Sequence, residues 1–375
     1  MSIQRKLPAP LTFLLTGLLT GLAALTSACE SEGYESILID EVELGDALEA
    51  ELEEPALELE FGAPAPLPTS GTSERRGRVD FGTFSGTKCA FETFDSAFNS
   101  AEGIQVQASV DHRQPGSFDA VTVWVEDLTT QGVELCVRET SQFNGNHTNE
   151  GLHVSYWAYR STGSGIAKGR AELPYIPANG SQRVCATVSY GQDFGLAPLV
   201  HATITHPYTG SPYTGQTRDA SSLWLEWITS TQFRVCMRET ASGTAGHVAF
   251  AIDWVAFLPG DEPNTSDSRS GIIDLADYLA AQNGGVPVSS FEDQICVPVS
   301  FESRYAEVPD VFLAADHTGD PGNHQPATTW IEKLDEDGFR ACFKELSTLA
   351  DPGGNHENSS HTADMFLQWT ALAPS

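Results

Sequence analysis

At three places in this chain a Trp stands twelve residues before a Cys, each time inside one recurring phrase. The copies read Trp124-Val125-Glu126 before Cys136-Val137-Arg138-Glu139, Trp224-Leu225-Glu226 before Cys236-Met237-Arg238-Glu239, and Trp330-Ile331-Glu332 before Cys342-Phe343-Lys344-Glu345. Each copy also has an earlier Cys (Cys89, Cys185, Cys296) and a later Trp (Trp157, Trp254, Trp369). Thiols bridge or ligate metals, carboxylates hold cations or hydroxyls, and indoles stack on sugars or pack between proteins. Because the whole set recurs, the chain is a tandem array, and its function belongs to one module and to having three of it.

The thiols are read first. Seven Cys less Cys29 leaves two per module. Six Cys allow fifteen connectivities, and only Cys89–Cys136, Cys185–Cys236 and Cys296–Cys342 treats the modules alike. Each bridge would close a loop of roughly 50 residues and add about 3–4 kcal/mol. Zinc ligation by these Cys is disfavoured, since no C-x-x-C spacing occurs.

Histidines recur beside acids. Asp111-His112, Thr205-His206 and Asp316-His317 each close a strand. The loop from Asp316 to His324 is the richest, and His317, Asp320 and His324 form a possible divalent-metal set against the plainer reading of polar loop residues. Glu126, Glu226 and Glu332 share a strand face with their Trp and could meet around a common axis, where a cation would have to offset their repulsion. Trp124, Trp224 and Trp330 alternate with apolar neighbours that face a core, so they are expected to pack between modules or to form a ligand platform.

The elements that must position these residues are strands. Gln105–Val110, Ala120–Val125 and Val133–Val137 are alternating or β-branched, and Gln131-Gly132 and Asp337-Gly338 mark a tight hairpin between the Trp strand and the Cys strand. Sustained helical periodicity is confined to Ile272–Ala281. The expected fold is all-β: three small antiparallel β-sandwich modules at 76–162, 163–260 and 269–375.

The N-terminal region reads differently. Arg5 and Lys6 precede an apolar run from Leu11 to Leu25 and the sequence Leu25-Thr26-Ser27-Ala28-Cys29. Residues 1–29 therefore look like a secretory signal ending in a bacterial lipobox, with Cys29 lipidated. Residues 30–60 contain thirteen Asp or Glu, and residues 61–73 are rich in Pro, Gly, Ser and Thr. The stretch 30–75 reads as a disordered tether. The protein is expected at an outer membrane, cell surface or periplasm-facing leaflet, touching membrane only through its lipid. A formal net charge of −31 excludes nucleic acid as a partner.

The ordered motifs resemble the H-type lectins, the snail-agglutinin and discoidin C-terminal type. The third copy shows it most fully, in Gly271-Ile272-Ile273-Asp274, Phe301…Tyr305…Val308-Pro309-Asp310-Val311, Gly338-Phe339-Arg340-Ala341-Cys342 and Phe366-Leu367-Gln368-Trp369-Thr370-Ala371. The second copy carries Gly165, Pro198-Leu199-Val200, Phe233-Arg234-Val235-Cys236 and Ile252-Asp253-Trp254-Val255-Ala256; the first carries Gly77, Phe91…Phe94…Phe98, Val133-Glu134-Leu135-Cys136 and Tyr156-Trp157-Ala158. The resemblance implies a six-stranded sandwich that binds galactose-like sugars and, because family members associate as trimers, three joined copies that could fold on one another as an intrachain pseudo-threefold trimer. Family members place a Trp-His pair behind the hairpin Cys, where this chain has Glu139-Thr140, Glu239-Thr240 and Glu345-Leu346. Their Arg before the fourth strand is matched only by Arg218. The implied carbohydrate-binding residues are thus Glu139, Thr140, Arg218, Glu239, Thr240 and Glu345.

No Gly-x-Ser-x-Gly, His-Glu-x-x-His or phosphate loop occurs, so no catalytic residues and no cofactor are expected. The functional expectation is a surface-anchored, multivalent lectin-like lipoprotein serving adhesion or recognition. The alternative is a structural protein whose modules bind neighbouring surface proteins without sugar.

Overall fold

In the computed structural model the described residues are 74–84, 86–112, 120–140, 149–160, 165–173, 184–206, 220–239, 250–262, 267–287, 290–291, 294–317, 326–346, 361–362 and 365–374. Six strands of each module follow one order. Module 1 has β1 (Glu74–Phe84), β2 (Thr87–Thr93), β3 (Gln105–His112), β4 (Val121–Leu128), β5 (Gly132–Glu139) and β6 (Asn149–Tyr159). Module 2 has β7 (Ala167–Leu173), β8 (Val184–Ser189), β9 (Leu199–Thr205), β10 (Ser221–Glu226), β11 (Gln232–Glu239) and β12 (Phe250–Phe257).

Module 3 has β13 (Ser268–Asp274), the helix α1 (Leu275–Gln282), β14 (Ser290–Phe291), β15 (Ile295–Ser300), β16 (Asp310–His317), β17 (Ala327–Glu332), β18 (Gly338–Glu345), β19 (His361–Thr362) and β20 (Met365–Leu372). The first strand thus starts two residues before the expected module boundary. The helix forms, but Ile272 lies in β13 rather than in the helix, which begins after Asp274 caps it by accepting the Asp277 N–H.

The modules do not each close their own sheets. The three six-stranded sheets run β1-β6-β3-β17-β18-β15, β13-β20-β16-β10-β11-β8 and β2-β5-β4-β9-β12-β7. In every sheet three strands of one module continue into three strands of another through one parallel contact: Ile331 beside Asp111, Leu225 beside Asp316 and Val125 beside Thr205. All other strand pairs among the described residues are antiparallel. The order is cyclic, so the chain is a pseudo-threefold trimer of its own modules.

Two local devices recur because the backbone requires them. At the hairpin between fourth and fifth strands, a side-chain oxygen accepts the turn N–H groups: Thr129 Oγ1 from Gln131 and Gly132, Thr229 Oγ1 from Thr231 and Gln232, and Asp335 Oδ1 from Asp337 and Gly338. In the first strand, Gly77, Gly169 and Gly271 lie under an aromatic ring of the last strand. A Cβ there would stand 2.6 Å from Tyr156, 2.6 Å from Trp254 and 2.7 Å from Trp369.

This contact corrects two alignments. Tyr156, not Trp157, is the counterpart of Trp254 and Trp369, and Gly169, not Gly165, is the opening Gly of module 2. Trp157 points to the opposite face, where it packs with Tyr159 and Phe312 in a separate cluster between modules.

Each of the three main cores borrows from a neighbour. Trp124 and Cys136 of module 1 sit in the core of module 2 with Leu225, Phe233 and Trp254. Trp330 and Cys342 of module 3 sit in the core of module 1, and Trp224 and Cys236 of module 2 in that of module 3. Alternation explains this: Val121 and Val125 face their own core, so Trp124 between them faces the next one.

Candidate functional site: the three junctions between modules

Trp, Cys and Cys form one row across three strands of each sheet. Trp124 pairs with Cys136 and Cys136 with Cys89, Trp224 with Cys236 and Cys236 with Cys185, and Trp330 with Cys342 and Cys342 with Cys296. The bridges Cys89–Cys136, Cys185–Cys236 and Cys296–Cys342 join directly opposed residues with Cα atoms 4.0–4.1 Å apart. Each indole is buried, and its Nε1–H donates to the Glu two residues on: Trp124 to Glu126 at 2.9 Å, Trp224 to Glu226 at 2.8 Å and Trp330 to Glu332 at 3.1 Å.

The three Glu therefore do not gather around one axis. Each stays on its own indole, beside the His that ends the neighbour's third strand. Glu226 registers with His317 and Glu332 with His112, while Glu126 Oε2 lies 3.0 Å from His206 Nδ1. An ionised Glu126 can only accept, so this contact is made by the His206 tautomer that bears its proton on Nδ1. Two junctions add an Arg from the fifth strand, Arg340 at 3.1 Å from Glu332 and Arg234 at 3.6 Å from Glu226. In the third, Glu134 occupies that position and a β-bulge between Val125 and Asp127 offsets Glu126. Beyond Glu226 and Glu332, Trp227 and Lys333 adopt left-handed backbone, φ 50° and 53°, which turns the chain out of the strand.

Cys185–Glu226–Cys236 and Cys296–Glu332–Cys342 are the sets of three ligating atoms that come close together among the described residues. Their sulfurs are bonded to one another, which leaves one carboxylate and no metal centre. His317 is buried at the end of β16 in the same junction, so it is held in the wall rather than in an open loop; Asp320 and His324 lie outside the described residues.

A second ring of contacts runs through the last strands. Val106 N–H donates to Asp253 Oδ2 at 2.9 Å, and Val200 N–H donates to Gln368 Oε1 at 2.7 Å. First-strand cations add clamps. In module 2, Arg170 donates to Asp253 and to Ile104 O, and Lys168 donates to Arg160 O. In module 1, Arg78 reaches Pro309 O at 3.0 Å and lies 3.2 Å from both Asp111 and Asp310, while Arg76 donates to Ala373 O at 2.6 Å.

Burial dominates the proton affinities here. It pushes Asp310 up to about 6 despite Arg78, and Asp316 up to about 7, where Glu226 adds to it. It lowers Lys168 to about 8, and lowers His201, whose Nε2 lies 2.8 Å from Thr370 Oγ1, to about 3.

Two hollows accompany the junctions. One of about 50 Å³ lies where the central strands of all modules meet, edged by Ser109, Thr122, Thr203, Ser221 and Thr328. That is far below the ~300 Å³ at which small-molecule sites begin. A cleft of about 490 Å³ opens between modules 1 and 3, lined by Arg76, Arg78, Glu307, Asp310 and Glu336.

The expected sugar residues are placed less favourably. Glu139 is buried at the end of β5, opposite Val121. Both the N–H and the Oγ1–H of Thr140 donate to Ala120 O at 2.9 Å. Glu239 and Glu345 end β11 and β18, opposite Ser221 and Ala327, but their side chains, with Arg218 and Thr240, lie outside the described residues. Cys29 and the tether up to residue 73 do as well. Among the described residues no helix is long and apolar enough to cross a membrane. No protein-family model, curated protein or solved structure matches this chain.

Proposed function

We propose that the chain is a multivalent binding protein of lectin type, not an enzyme, that carries three copies of a glycan-contacting strand end on one rigid block and is held at a bacterial surface by a lipid on Cys29. The observation that carries this reading is the cyclic sharing of sheets, which fixes three equivalent strand ends (Glu139, Glu239 and Glu345) at constant spacing. Fixed spacing turns shallow, weak sites into one strong attachment through effective concentration. Because Glu139 is buried and Thr140 donates twice to Ala120 O, the glycan contact at each strand end is proposed to involve the chain that continues past it, from residues 141, 240 and 347.

A glycan array probed with the protein at low and high sugar density, with and without calcium, tests the reading. Binding that strengthens steeply with density supports it, and silence at every density removes it. The second reading, a structural module for protein neighbours, is favoured by those same commitments of Glu139 and Thr140, and would then stand.

A further inference from the structure

Four polar groups meet where module 3 closes onto module 1. Arg78 of β1, Asp111 of β3 and Ser155 of β6 come from module 1, and Asp310 of β16 comes from module 3. Arg78 lies 3.2 Å from each carboxylate, through Nε to Asp111 Oδ2 and through Nη2 to Asp310 Oδ1. Ser155 Oγ lies 3.3 Å from the same Asp111 oxygen and 3.4 Å from the same Asp310 oxygen, and it accepts from Arg78 Nε at 3.2 Å. Both Asp residues are buried.

The Ser155 hydroxyl has one proton and two carboxyl groups within reach. It can donate to one of them. The other contact is oxygen to oxygen unless that carboxyl carries a proton of its own and donates to Oγ. Charge points the same way. Arg78 brings one positive charge to two buried carboxylates, and one added proton makes the three groups neutral where burial disfavours net charge. Asp310 is the carboxyl that lines the 490 Å³ cleft, so it is the one placed to exchange a proton with solvent. Its counterparts, set six residues before Asp111 and Thr205 as Asp310 is before Asp316, are Gln105 and Leu199, which carry no acid. At the junction of modules 1 and 2, Asp253 meets Arg170 one to one, at 2.6 and 2.9 Å.

We propose that the junction between modules 1 and 3 is a pH-sensitive latch, closed by one proton that Asp310 carries and donates to Ser155, which in turn donates to Asp111. Without that proton, two carboxylates face one hydroxyl and one guanidinium, and a junction that no chain segment ties together loosens. Burial raises Asp310 from 3.8 to about 6 against Arg78, Arg76 and Ser155, and Asp111 adds to the rise. Burial also raises Asp111, against Arg78, His153 and Ser155. A carboxyl raised on closing contributes fully below about 4, and its contribution is lost as pH climbs through 6. The other charged or titratable groups here are Arg76, 3.5 Å from Glu74, the cleft residues Glu307 and Glu336, and His153, whose Nε2 lies 3.9 Å from Asp80. Glu139 and Glu345 keep their spacing only while this junction is closed, so multivalent attachment should tighten below pH 6. That consequence rests on the glycan reading; the latch does not.

The test is a titration of the full chain from pH 4 to 8, read at two places. The Asp310 and Asp111 carboxyl carbons are followed by 13C NMR, and the amides of β3 and β17 by hydrogen exchange corrected for its intrinsic pH dependence. Asp310 is expected to ionise near pH 6. Protection of β3 and β17 should fall with it by up to about a hundredfold, tenfold for each unit between 3.8 and about 6. Asp310→Asn keeps a donor to Ser155 without a titrating proton, and should hold protection high and flat. His153→Gln should leave the step in place. Ionisation of both carboxyls by pH 5 in the unaltered chain, an unchanged step in Asp310→Asn, or its loss in His153→Gln would overturn the proposal. The NMR reading needs no variant, so it decides the matter even if Asp310→Asn fails to fold.

Discussion

Trp224 donates its indole N–H to Glu226 Oε1 at 2.8 Å, two residues along the same strand; the indole lies inside the core of module 3, to which it does not belong, and the carboxylate is fully buried beside it. The hydrogen bond makes the carboxylate tolerable there, with Arg234 supplying charge at 3.6 Å. Trp224→Ala removes a fully buried indole and strands Glu226, so a loss of about 3–5 kcal/mol is expected. Trp224→Phe keeps most of the volume but takes away the hydrogen bond the carboxylate accepts, and should cost about 1–3 kcal/mol. Urea denaturation of the two variants separates the contributions: equal losses would show that packing adds nothing, and an unchanged stability in Trp224→Phe would show that the hydrogen bond adds nothing.

Burial raises the Asp316 pKa to about 7, so between the unfolded carboxyl range near 4 and about 7 the folded chain binds the extra proton. The Asp316 contribution is therefore full below about 4 and is lost as pH rises through 7, a swing on the order of a few kcal/mol. His201 works oppositely. Its folded pKa of about 3 lies below the unfolded 6.5, so its contribution is present above 6.5 and is lost as pH falls toward 3. Stability measured against pH should lose its decline between pH 4 and 7 in Asp316→Asn. In His201→Gln the fall below pH 6.5 should shrink instead.

The first strand leaves no space above its glycine. Gly169→Ala would drive a Cβ to 2.6 Å from the Trp254 ring. A loss of about 1–3 kcal/mol by thermal melting is expected, from overpacking alone. Gly195→Ala probes a different cause: nothing lies within 4 Å of its would-be Cβ, but φ is +74°. Its cost should be backbone strain of about 1–2 kcal/mol, without loss of core packing.

Much of this architecture could be read from the sequence, for a physical reason. The Trp-to-Cys spacing places both residues on opposed strands of one hairpin, and period-two alternation sends Trp124 away from the face that buries Val121 and Val125. Partner choice was not readable. Val125 beside Thr205 and Ile331 beside Asp111 are parallel contacts between modules, and a strand's alternation does not name the strand it will join. The alignment of Trp157 with Trp254 and Trp369 failed by one residue because indole identity was followed rather than the Gly–aromatic contact, which Tyr156 makes. The Trp–Glu–His grouping was hidden likewise, since Glu226 and His317 lie in different modules.

Consecutive modules are tethered by short segments, from Tyr159 to Ala167 and from Phe257 to Ser268, whereas modules 1 and 3 meet only by closing the ring. Among the described residues that untethered junction carries the densest ionic contacts, with Arg78 between Asp111 and Asp310 and Arg76 on Ala373 O. Arg78→Ala leaves two buried carboxylates without their cation, and breaking such a pair costs about 3–5 kcal/mol. Arg170→Ala removes one cation from Asp253 at a junction that the chain itself holds together, where high effective concentration opposes opening. Hydrogen exchange should therefore show β3 and β17 losing protection in Arg78→Ala while β4 and β9 keep it. In Arg170→Ala the β4–β9 pair should loosen less. If both variants open both junctions equally, ring closure is not the step that Arg78 secures.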